Sequence, residues 1–139
     1  MRILIGTLAM ATLAGCATSP VPFDEARLAP SERITGYQRA VEGGGTIIVT
    51  RDSGFIGGGC YATIFLNGTP VAKLNPKEKA VFHVPAGEWL LGAGLDGKAL
   101  CGANPERLET DAPIASGQQK KFRVYTSGDG SVGVKPTTF

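Results

Sequence analysis

The chain predicts an all-β fold, a small antiparallel β-sandwich or barrel-like domain, and three observations carry that prediction. Short runs rich in β-branched and aromatic residues recur between turn residues from position 46 to the end. Glycine (20 of 139 residues) and proline (9) are frequent enough to place a turn after each run. Helix-period patterns are scarce, the one candidate being a short helix at 24–28 with Asp24 as its cap and Pro30 as its stop.

The strands follow in order. Residues 46–51 (Thr-Ile-Ile-Val-Thr-Arg) are β-branched almost throughout. Residues 60–66 alternate, with Cys60, Ala62, Ile64 and Leu66 on one face and Tyr61, Thr63 and Phe65 on the other. Asn67-Gly68 then reads as a hairpin turn, because both residues accept φ > 0. Residues 69–74 return as its partner strand, and Asn75-Pro76 turns the chain again. In 80–84, Ala80, Phe82 and Val84 alternate with Val81 and His83. Pro85-Ala86-Gly87 is a tight turn, with φ fixed by the proline. Residues 88–93 follow, with Trp89 and Leu91 as core candidates, and 108–114 form a less regular strand. Residues 120–126 and 131–135 make a last hairpin across Gly128-Asp129-Gly130. Hairpin connections predict a sheet order that follows the order of the chain.

Ahead of these strands stands a different kind of segment. Arg2 is followed by an apolar run, 3–13, and then by Leu13-Ala14-Gly15-Cys16. Eleven apolar residues are too few for a transmembrane helix, which needs about 20, and suit the apolar region of a secretory signal. The segment resembles the bacterial lipobox. That resemblance implies cleavage before Cys16, which then carries a diacylglycerol thioether and an N-terminal acyl chain such as palmitate. It divides the chain into a signal peptide (1–15), an acylated anchor and flexible tether (16–45) and a β-domain (46–139). Ala17 stands where, in lipoproteins of the enterobacterial kind, an aspartate favours inner-membrane retention. The implied location is thus the outer membrane with the domain in the periplasm, the inner membrane being the alternative. About 30 flexible residues would span on the order of 30 Å.

Without Arg2 the chain has 13 basic and 12 acidic residues, a formal net charge of +1. That balance gives no basis for a nucleic-acid partner. Lys120, Lys121 and Arg123 read as a solvated strand end. The expected partners are the membrane, through the acyl chains on Cys16, and other envelope proteins.

With Cys16 acylated, Cys60 and Cys101 remain as an even pair in an oxidising compartment, where a disulfide is expected. The alternative is a reactive Cys60 thiolate served by His83, the one histidine of the chain. One histidine and two distant cysteines match no zinc pattern, and no metal or other cofactor is expected. The glycine-rich stretch 54–59 precedes a strand, whereas a phosphate cradle follows one. Loops carry binding more often than strands do, so Arg51, Asp52 and Phe55 are the candidate residues of a ligand- or glycan-binding loop at 51–59. Glu78, Glu88, Asp96, Glu106, Glu109 and Asp111 could serve glycosidic chemistry, but nothing selects a pair among them.

Three stretches carry a wider resemblance: 47–51, ending in arginine; 64–74, with the Asn67-Gly68 turn; and 84–89, Val-Pro-Ala-Gly-Glu-Trp. Together they are similar to a family of small bacterial lipoproteins built around a domain of unknown function, over roughly 45–94. The resemblance implies a β-sandwich in the cell envelope and no catalytic residues. The function expected is therefore a non-enzymatic structural or protein-interaction component of the envelope. A ligand- or glycan-binding module and an envelope hydrolase are the alternatives.

Overall fold

A computed structural model of the chain describes residues 18–54, 58–102 and 106–139. Among the described residues nine strands form two sheets: β1 Arg27–Leu28, β2 Gly45–Arg51, β3 Tyr61–Leu66, β4 Thr69–Leu74, β5 Glu78–Val84, β6 Leu90–Asp96, β7 Leu108–Asp111, β8 Gln119–Thr126 and β9 Val132–Pro136. The first sheet runs β1-β5-β2-β8-β9, the second β4-β3-β6-β7. Their inner faces pack as a small sandwich.

Alternation builds that core. Ile47 and Val49 of β2, Ala62, Ile64 and Leu66 of β3, and Ala80, Phe82 and Val84 of β5 are all inaccessible to solvent. Phe122 and Val124 of β8 complete the same layer. The Asn67-Gly68 turn has φ of 47° and 78°, the two positive values its residue types foretell. Leu91 is buried as expected, whereas Trp89 is only partly so. The Trp89 ring packs edge-on to Tyr37 and donates its indole N–H to the Pro85 carbonyl at 2.9 Å.

Two expectations about pairing need correction. The sheet order is not that of the chain, because β2 lies between β5 and β8. Nor is the pairing wholly antiparallel. β2 and β8 run parallel, with Thr46 opposite Gln119 and Arg51 opposite Val124. The chain crosses to the second sheet for β3 and β4, returns for β5, and crosses again for β6 and β7 before β8. Parallel neighbours require such long crossovers.

The expected tether is corrected as well. Residues 18–44 are part of the folded domain, and those from 27 to 38 run along β5 and β4. β1 adds to β5 in parallel, with Arg27 opposite Glu78. Further on, the Gln38 amide donates to the Val81 carbonyl (2.9 Å), and the Tyr37 carbonyl accepts from the His83 N–H (2.7 Å). On the other sheet, Ile34 bridges to Ala72 and the Thr35 N–H donates to the Val71 carbonyl at 2.8 Å. The segment so occupies one edge of each sheet, at β5 and at β4, which would otherwise present unpaired backbone groups. Its own Ala26 and Ala29 are buried. No helix forms at 24–28: a single turn closes on the Pro22 carbonyl, and a 3₁₀ turn follows at Ser31–Arg33.

Candidate functional site at the N-terminal clamp

The C-terminal ends of the parallel strands β2 and β8 lie side by side, and the chain enters the domain there. The backbone N–H of Thr126 donates to the Thr18 hydroxyl oxygen at 2.9 Å, and the Thr18 N–H donates to the Thr126 carbonyl at 3.2 Å. The Thr18 hydroxyl in turn donates to Asp52 Oδ2 at 2.8 Å. Ser19 and Ser53 exchange both backbone hydrogen bonds, at 2.9 and 3.0 Å. Gly54 has φ of 149°, and a Cβ placed there would stand 2.8 Å from Thr18 Cγ2. Only glycine suits both the angle and the approach.

Asp52 is the centre of this clamp. It is 2 % exposed, and Arg123 from β8 donates to it through Nε (2.9 Å) and Nη2. A buried carboxylate needs a partner, and a forked guanidinium with a hydroxyl supplies three donors.

Arg51, one residue earlier, points to the opposite face of β2 and is 3 % exposed. Its Nη1 donates to the carbonyls of Cys60 (2.6 Å) and Leu74 (2.7 Å), linking the start of β3 to the end of β4. Desolvation lowers its pKa to about 10, partly offset by the charge of Glu78, so the side chain stays cationic at neutral pH. Glu78 is buried too, and Arg33 grips it with two bonds, Nη1 to Oε2 at 2.7 Å and Nη2 to Oε1 at 2.8 Å. The Asn75 N–H adds a third at 2.8 Å. Burial alone would raise the Glu78 pKa. The hydrogen bond from Arg33, the Asn75 amide and the charges of Arg33 and Arg27 outweigh it, and the net shift is downward.

Arg51 and Asp52, expected to flank a binding loop, are thus enclosed by the fold and engaged with it. The physical reason is that β2 continues to Arg51 and its end is covered by residues 18–19. Phe55 and Cys16 lie outside the described residues. Cys60 and Cys101 are joined by a disulfide, with their Cα atoms 5.5 Å apart. That bond leaves no thiolate for His83, which in any case pairs with Thr46 at the far end of β5. Among the described residues no group of three or more His, Cys, Asp or Glu is placed to hold a metal ion. Of the six candidate carboxylates, Glu78, Asp96 and Glu109 stand in ion pairs with Arg33, Lys73 and Arg107.

Sequence reasoning passed over one surface feature. A groove of about 450 Å³ crosses the outer face of the second sheet, floored by Thr63 and Gly94 and walled by Phe65, Lys73, Asp96 and Arg107. Arg107 lies over the Phe65 ring at 4.7 Å, and Lys73 meets Asp96 at 2.8 Å. The hydrogen bond and charge of Lys73 hold the Asp96 carboxyl below its ordinary range. The cations of the groove therefore already have carboxylate partners, and no ligand class is selected by them.

No family model matches the chain, and no curated protein or solved structure does so either.

Proposed function

We propose that the protein is a lipid-anchored lipoprotein of the bacterial cell envelope, attached through acyl chains on Cys16, with a β-sandwich that acts as a structural or interaction component rather than a catalyst. The observation that carries this reading is the Leu13-Ala14-Gly15-Cys16 sequence behind a short apolar run. Two structural features support it. The disulfide suits an oxidising compartment such as the periplasm. The clamp at Thr18 means that the folded domain begins just after the proposed anchor, with Ala17 alone between the two residues. Several acyl chains on one residue give stable retention, since each buried CH₂ contributes about 0.8 kcal/mol. The absence of aspartate at position 17 favours the outer membrane.

Metabolic labelling with a radioactive fatty acid tests the reading. The native chain takes up label and fractionates with membranes. The variant Cys16→Ser takes up none, and label persisting on it would refute the anchor.

A further inference from the structure

The strand directions place one set of loops at the same end of the sandwich as Thr18. β2 and β8 finish there, so the stretches 52–54 and 127–131 belong to it. β4 finishes and β5 begins there, because the Lys77 N–H donates to the Arg51 carbonyl at 3.1 Å. β3 begins there opposite the end of β6, Tyr61 facing Asp96. The stretch 97–102, tied to Cys60 by the disulfide, therefore shares this end. It presents Leu100, 87 % exposed and the most exposed of the large apolar side chains described. Exposed Lys98 lies two residues away, and exposed Lys77 stands on the β4–β5 connection at the same end. Asp129, the acid of the 127–131 turn, is bonded to Ser131 through both its N–H (3.0 Å) and its hydroxyl (2.5 Å).

We infer that this end of the domain lies directly on the lipid surface, with Leu100 entering the headgroup region and Lys98 and Lys77 facing anionic lipid. The inference rests on the lipoprotein reading above and adds an orientation to it. Two residue steps separate Thr18 from Cys16, and an extended chain spans at most about 3.3–3.6 Å per residue. An acylated Cys16 therefore holds Thr18 within roughly 7 Å of the headgroups, too little to let the domain turn freely. An exposed apolar side chain with one lysine two residues away and another at the same end of the domain is the composition that interfacial contact favours.

The native chain offers its own control, because its one tryptophan, Trp89, follows the β5–β6 turn at the opposite end of the sandwich. The acylated full-length protein would be placed in phosphatidylethanolamine–phosphatidylglycerol vesicles containing a dibrominated phosphatidylcholine. Trp89 fluorescence is expected to be unaffected. Leu100→Trp in a Trp89→Phe background is expected to lose about half its emission and shift to the blue, since interfacial groups sit about 5–10 Å into the headgroup boundary. Lys98→Trp in the same background repeats the measurement at a second exposed site. Quenching at 98 and 100 no greater than at Trp89, in protein whose mass carries the acyl groups, would overturn the orientation while leaving the anchor intact. Protein without acyl groups would overturn both.

Discussion

The Thr18 hydroxyl donates to the buried Asp52 carboxylate across 34 residues of chain, and Arg123 holds the same carboxylate from the other side. Through these bonds the first described residue of the protein is fixed to the ends of two central strands.

Removing the carboxylate should be costly. Asp52→Ala leaves the largely buried Arg123 guanidinium without its partner and should destabilise the domain by about 3 kcal/mol. Thr18→Ala deletes a single hydroxyl and should cost about 1 kcal/mol. Urea denaturation of the two single variants and the double variant would show the coupling: the Thr18 change should cost less once Asp52 is gone, the remainder being the bond that the Thr18 hydroxyl accepts from the Thr126 N–H.

Gly54→Ala puts a methyl group against Thr18 at a backbone angle that L-residues avoid. A cost of about 1–3 kcal/mol is expected from the strain. The local signature is more telling than the global one, since hydrogen exchange at Thr18, Ser19 and Ser53 should accelerate more than exchange at Ile47 or Phe122. Uniform acceleration would mean that the clamp does not open by itself.

Glu78 makes stability depend on acid. Its folded pKa lies below its unfolded value of about 4.3, so the unfolded chain binds the proton first as pH falls. The Arg33–Glu78 contribution is therefore complete above about pH 4.3 and is lost as pH drops through the folded pKa. Glu78→Gln should be less stable than the native chain at neutral pH and show a flatter acid limb in its urea midpoints. An unchanged acid limb would assign the effect to other carboxylates.

The disulfide closes a loop with a sequence separation of 41. Its reduction, or the paired change Cys60→Ala and Cys101→Ala, should lower stability by about 4 kcal/mol on the chain-entropy model. Thermal unfolding with and without reductant would measure this.

The strands were legible in the sequence because each announces itself locally. Ile47-Ile48-Val49 is β-branched, Ala62, Ile64 and Leu66 alternate, and Asn67-Gly68 takes the two positive φ values its side chains permit. The Cys60–Cys101 pair was legible from counting. What escaped depends on partners far apart in the chain. The parallel pairing of β2 and β8 joins segments more than 70 residues apart, with nothing in either to mark it. Residues 18–44 looked like a tether because they bury small side chains, Ala26 and Ala29, and bond largely through backbone and side-chain polar groups. Arg33 meets Glu78 at a separation of 45, and Arg123 meets Asp52 at 71. Arg51 and Asp52 therefore resembled exposed loop charges, although each is enclosed by contacts that only the folded chain assembles.

The lipid anchor at Cys16 is the central claim, and the intact mass of the protein extracted from bacterial membranes tests it most directly. The account predicts a chain that begins at Cys16 and carries a diacylglyceryl group and one further acyl chain. A chain that begins elsewhere, or one with an unmodified Cys16, would contradict it.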